Sequence, residues 1–188
     1  MTPSRSTGRG GFQDLVLPHL DRLLAFARRL GADEIEAQDW AQETVTRAWR
    51  AFDQLEDEGV VRAWLFRILR AVAADEVRTG ARRRALVDII QLEEHHEELV
   101  ASDAPDPLQT LVAAATTARI QEALDGIPEE FAQPVELHDL HDLKYREIAD
   151  VLGIPLGTVM SRISRGRRLL AALLGRQAAT ARARETRP

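Results

Sequence analysis

Apolar residues recur at three- and four-residue steps along most of this chain, and no alternating run extends beyond a few residues. That periodicity predicts amphipathic helices and no sheet. Leu20, Leu23, Leu24, Ala27 and Leu30 make one stripe, which Gly31 ends. Ala37, Trp40, Ala41, Thr44, Val45, Ala48, Trp49 and Phe52 make the next. Trp40 and Trp49, with the later Trp64, are expected to anchor the core. The opposite face of that second helix carries Gln38, Asp39, Gln42, Glu43, Arg47 and Arg50. After an acidic loop over 53–59, a third helix over 60–80 turns Trp64, Leu65, Ile68, Leu69 and Val72 inward.

These three helices define one small domain, 12–84. A linker over 85–106 follows, and Asp106 before Pro107 reads as a helix cap and a first-turn proline. The second domain, 107–175, opens with a helix over 108–124. Ile127-Pro128-Glu129-Glu130 starts another, which Pro134 should bend or delay. The two ends, 1–11 and 176–188, are Gly-, Ser-, Ala- or Arg-rich and are expected to lack fixed structure. The fold class is all-α: two small helical domains joined by an acidic linker, the second containing a helix-turn-helix.

That last element lies between Tyr145 and Leu170. A short helix from Tyr145 to Leu152 has Ile148, Ala149 and Leu152 on one face. Gly153 breaks it, and Pro155 sits where a new helix can start. The second helix buries Val159, Ile163 and Leu170, and shows Ser161, Arg162, Ser164, Arg165, Arg167 and Arg168 outward. In a helix-turn-helix the second helix enters the major groove. Arginines there pair with phosphates or with guanine edges, and hydroxyls reach either. The plainer alternative is a helical hairpin with a solvated basic face.

Charge distribution sharpens this picture more than charge total, which is −5 over 188 residues. Residues 160–176 hold five arginines and no acid, and residues 78–84 hold four arginines and no acid. Residues 85–110 hold seven acids and no Lys or Arg. Two basic patches separated by an acidic stretch suggest two nucleic-acid contacts and a linker that avoids DNA. Lys144 is the single lysine. The absence of cysteine rules out disulfides and thiolate metal sites. No apolar run approaches the ~20 residues of a membrane span, and the first residues lack the apolar core of a signal peptide. A cytoplasmic location is the expectation. Glu94-His95-His96-Glu97 and the His138, His141 pair lack an arranged third ligand, so no metal or other cofactor is expected. No nucleophile triad or phosphate-cradling glycine loop occurs, which argues against an enzyme.

Three segments together resemble the extracytoplasmic-function group of bacterial sigma factors, the promoter-specificity subunits of RNA polymerase. They are Asp39-Trp40-Ala41-Gln42-Glu43 with Arg47-Ala48-Trp49; Arg62-Ala63-Trp64-Leu65-Phe66-Arg67-Ile68; and Ile127-Pro128-Glu129-Glu130 through Tyr145-Arg146-Glu147-Ile148-Ala149 to Gly157-Thr158-Val159-Met160-Ser161-Arg162. The likeness covers roughly residues 12–84 and 107–174. It implies that Asp39, Gln42 and Glu43 dock on the clamp helices of the polymerase's largest subunit. It implies that the helix with Arg62, Arg67, Arg70 and Arg78 meets the −10 promoter region. It implies that Thr158, Ser161, Arg162, Ser164, Arg165 and Arg167 face the −35 element. Core RNA polymerase, promoter DNA and an anti-sigma factor are the partners it implies. Trp64 and Phe66 beside those −10 arginines would suit capture of unstacked bases, but periodicity puts Trp64 inside, so DNA contact is assigned to the arginines.

This chain departs from the family at several positions. Ala71 replaces a common Asn, and the 53–59 loop, which resembles a flipped-base pocket, carries Glu56, Asp57 and Glu58. Lys144 replaces a frequent Ser cap, at a cost of about 1 kcal/mol. Met160 stands where many members have Arg, and Ser164 where the residue is often larger, so a −35 preference does not carry over. Two other readings are a helix-turn-helix regulator and a sigma mimic that titrates an anti-sigma factor. The first would not need the Asp39–Glu43 and Arg62–Ile68 segments, and the second should lose the basic face that this chain keeps.

Overall fold

The computed structural model describes residues 9–55, 57–83 and 117–185. Among them all regular structure is helical, and the chain divides into two compact units, Met1–Glu93 and Glu94–Pro188. The expected linker over 85–106, the helix start over 107–116 and the Glu94–Glu97 run fall outside the described residues.

The first unit contains α1 (Arg9–Val16), α2 (Leu20–Arg29), α3 (Glu34–Arg50) and α4 (Val61–Arg83), with 3-10 turns at Leu17–His19, Phe52–Gln54 and Glu58–Val60. Helix begins at Arg9, inside the 1–11 stretch expected to lack structure. Phe12 supplies the reason: it is buried and meets Trp49 and Phe52 edge-on, at 5.0 and 5.2 Å between ring centroids. Asp33 caps α3. Its Oδ1 accepts from the Ile35 and Glu36 amides at 2.9 and 2.8 Å, while Glu36 accepts from the Asp33 amide at 3.0 Å.

The core of this unit joins Leu23, Phe26 and Ala27 to Trp40, Ala41 and Ala48 and to Leu65, Phe66, Leu69 and Val72. Phe66, placed beside the DNA-facing arginines by its sequence neighbours, is instead fully buried, edge-on to Phe26 at 5.2 Å. α4 packs against both α2 and α3, so its apolar stripe is wider than one helix neighbour would require. Trp40 is buried and Trp64 half-buried, but Trp49 is 45% exposed, which corrects its assignment as a core anchor. It lies in the last turn of α3, at the edge of a shallow groove lined by Phe12, Val16, Leu17 and Val45.

The second unit contains α5 (Thr117–Asp125), α6 (Glu129–Asp139), α7 (Tyr145–Leu152) and α8 (Leu156–Glu185). α6 starts at Glu129 and runs through the buried Pro134, which forfeits one backbone hydrogen bond without delaying the helix. α8 also runs past Gly175, where an end was expected, and continues to Glu185. Leu170 and Leu174 bury against Ala123, Leu124 and Ile127 of the α5 region, and that burial carries the helix through a glycine worth about 1 kcal/mol. Where α6 crosses α8, Gly166 is essential to the approach: a Cβ there would lie 2.6 Å from Val135 Cγ2 and 2.7 Å from the Phe131 carbonyl oxygen.

Candidate nucleic-acid and polymerase interfaces

The turn between α7 and α8 is set locally. Gly153 adopts φ +69°, a left-handed conformation that favours glycine, and its amide donates to the Ala149 carbonyl at 2.8 Å. At the start of α7, Lys144 offers no cap from its side chain, but its amide donates to Glu147 Oε2 at 2.7 Å. Half of a capping box therefore survives the loss of serine. Ile148 and Val151 of α7 and Val159 and Ile163 of α8 are buried, so Val151 takes the inward place expected for Leu152.

That burial fixes what α8 turns outward. Thr158, Ser161 and Arg162 are half-buried at its first turns, and Ser164, Arg165 and Arg168 are exposed. The Ser161 hydroxyl donates to the Thr158 carbonyl at 3.0 Å. The Arg165 guanidinium lies 5.0 Å from the centre of the Phe131 ring. Arg167 differs from the expectation of a groove contact. It follows Ile163 by four residues and precedes Leu170 by three, so it lies beside the buried stripe. Its Nε donates to Asp139 Oδ2 at 3.0 Å, and a terminal nitrogen pairs with Asp139 Oδ1. This fork joins α6 to α8.

The two histidines weighed as metal ligands serve different partners. His138 donates from Nδ1 to the Leu143 carbonyl at 2.8 Å and packs edge-on against Tyr145 at 4.7 Å. His141 is buried, with Nε2 3.4 Å from Oε1 of the buried Glu136.

In the first unit, Asp39 and Gln42 stand exposed on α3, whereas Glu43 is engaged within the chain. Glu43 Oε1 accepts from Arg47 Nε at 2.8 Å, Arg47 also donates to Asp75 Oδ2 at 2.7 Å, and Asp75 pairs with Arg78. Hydrogen bonds from Arg47 and Arg78 hold the Asp75 carboxyl below its ordinary range, and the bonds that Arg47 donates to Glu43 and Asp75 raise the Arg47 guanidinium. The chain of pairs ties α3 to α4 and uses two residues, Glu43 and Arg78, that were expected to meet partners. Of the other −10 candidates, Arg67 is exposed, and Arg62 and Arg70 are half-buried. Ala71, the residue after Arg70, is exposed.

A helical unit with an exposed acidic face on one helix and arginines on the next, joined in one chain to a helix-turn-helix with a basic outer face, defines the class: a two-unit helix-turn-helix protein. Residues 15–83 match the model of sigma-70 region 2, and residues 117–170 match that of sigma-70 region 4. The chain is 38% identical over 159 residues to the ECF RNA polymerase sigma factor SigE of Mycolicibacterium smegmatis; the match takes in 85% of this chain and spans 60% of that relative's length. It is 31% identical over 174 residues to the RNA polymerase sigma factor CnrH of Cupriavidus metallidurans, over 90% of this chain and 89% of that one. A solved structure of the sigma factor RpoE in complex with the anti-sigma factor NepR, from Bartonella quintana, is similar at TM-score 0.62 and 28% identity, covering 87% of this chain and 96% of that one. The chain belongs to the extracytoplasmic-function group of the sigma-70 family, and is an alternative sigma factor.

Proposed function

We propose that this sigma factor binds core RNA polymerase through the outer face of α3, sets α8 in the major groove of the −35 element, and uses α4 to open and hold the −10 strand. The division of labour follows 12–84 for polymerase and −10 contacts and 107–175 for −35 contacts. The observation that carries the reading is the outward surface of α8, where Thr158, Ser161, Arg162 and Arg165 share one side, with Ser164 exposed beside them. Arg167 supports that helix from behind through Asp139. On α3, Asp39 and Gln42 are the groups best placed for a basic partner, with Glu43 at their edge. On α4, Arg67 is exposed and flanked by the half-buried Arg62 and Arg70, and the exposed Arg78 takes part once Asp75 releases it.

The protein works by binding, performs no covalent chemistry and acts in the cytoplasm. No described helix is long and apolar enough to cross a membrane. The solved relatives RpoE and CnrH are seen with the anti-sigma factor NepR and with the cytosolic domain of CnrY, and an anti-sigma factor is the corresponding partner here. Pull-down with purified core polymerase tests the α3 assignment. Asp39→Arg should weaken association while the circular dichroism spectrum stays helical, because an exposed charge carries little fold stability. Undiminished association would remove the assignment.

A further inference from the structure

Two arginines on α8 are held by α6 in chemically different ways. Asp139 takes Arg167 through two N–H···O contacts, which use donors that a phosphate or a guanine would need. Phe131 takes Arg165 through the face of its ring, 5.0 Å from the guanidinium carbon. A ring face attracts the cation through its quadrupole and consumes none of the five N–H donors, which point outward in the guanidinium plane. Arg165 is also exposed, and Phe131 is half-buried, so the ring is itself fixed while the cation above it stays accessible. The two helices also approach closely at this point. Gly166, the next residue, lets α8 come so near α6 that a Cβ would lie 2.7 Å from the Phe131 carbonyl oxygen.

We propose that Phe131 is a positioning residue for DNA binding: its ring holds Arg165 extended on the outer side of α8 with its donors available to DNA. The inference rests on α8 lying against DNA. Ordering a long side chain before contact removes part of the rotamer entropy that binding otherwise loses. Leucine at 131 would keep apolar volume but lose the cation-binding face. Tryptophan would keep the face.

The test is fluorescence anisotropy of the full chain on a labelled mixed-sequence DNA duplex at several salt concentrations. The variants are Arg165→Ala, Phe131→Leu, Phe131→Trp and the double variant Phe131→Leu, Arg165→Ala, each checked by thermal melting. Arg165→Ala should weaken binding and reduce the salt slope by about one unit. Phe131→Leu should weaken binding about two- to fivefold when Arg165 is present, and add nothing when Arg165 is already alanine. Phe131→Trp should restore wild-type affinity. If Arg165→Ala changes neither affinity nor slope, the placement of α8 on DNA fails and takes this proposal with it. If Arg165→Ala weakens binding but Phe131→Leu costs as much in its absence, or Phe131→Trp does not restore affinity, the placement stands and the positioning role is overturned.

Discussion

At the scale of single residues, surroundings separate side chains that the sequence makes look alike. Arg165 and Arg167 both belong to the basic run of α8, yet one meets an aromatic face and the other a carboxylate. Arg167→Ala should therefore leave the salt slope of DNA binding unchanged and lower stability by up to about 1 kcal/mol, the range for a partly exposed pair. Denaturant melts beside the anisotropy titration read both effects. A fall of one unit in the slope would return Arg167 to the DNA face. The tryptophans divide in the same manner. Trp40→Ala should cost about 3–5 kcal/mol, as for a buried aromatic, whereas Trp49→Ala should cost about 1 kcal/mol, because Trp49 is 45% exposed and retains chiefly its edge contact with Phe12. Equal melts for the two variants would contradict the burial of Trp40 and the exposure of Trp49. His19 adds a pH dependence. Burial, with Arg62 and Arg22 nearby, lowers its pKa. The unfolded chain then takes up the proton more readily, so stability should fall as pH drops below about 6.5 toward the lowered value. His19→Gln should flatten that slope in denaturant melts, and an unchanged slope would assign it to other groups.

At the scale of elements, the sequence revealed what has a local period and concealed what depends on a distant partner. The α3 stripe as far as Ala48 and the inward Val159, Ile163 and Leu170 followed from spacing along one helix, and the break at Gly153 from its residue type. Phe66 did not, because its burial requires two neighbouring helices rather than one. The Asp139–Arg167 fork joins residues 28 apart and has no local signature. By contrast, Glu43 with Arg47 and Asp75 with Arg78 stand four and three residues apart, a spacing that signals pairing on a helix before any fold is known. Gly166 was not legible, since Gly157 and Gly175 stand in the same helix with nothing within 4 Å of an added Cβ, and only the crossing with α6 sets Gly166 apart. Gly166→Ala should force α6 and α8 apart and destabilise the second unit by about 1–3 kcal/mol. An unchanged melting temperature would show that the crossing is looser than these distances. The Asp75 pairs give a second pH effect at this scale. Asp75 has a lowered folded pKa, so its contribution is present above the unfolded carboxylate range and is lost as pH falls through the folded value. Asp75→Asn should remove that acid-side loss from the melts.

At the scale of the whole molecule, the proposed function divides polymerase and DNA contacts between two small cores on one chain. The family match covers both, over 15–83 and 117–170. On that proposal neither face is sufficient for promoter-directed initiation. A chain that grips polymerase through α3 but lacks a DNA-reading α8 would lose the −35 half of its promoter choice, and one with α8 alone would bind DNA without recruiting the enzyme. Run-off transcription with purified core polymerase and a pool of genomic promoters tests this joint requirement most directly. Discrete transcripts are expected with the wild-type chain, and their loss both with Asp39→Arg and with Arg162→Ala plus Arg165→Ala, while each variant melts as a folded protein. Transcripts that persist at wild-type level in either variant, or a folded wild-type chain that binds core polymerase yet yields no transcript from any promoter in the pool, would contradict the proposed function.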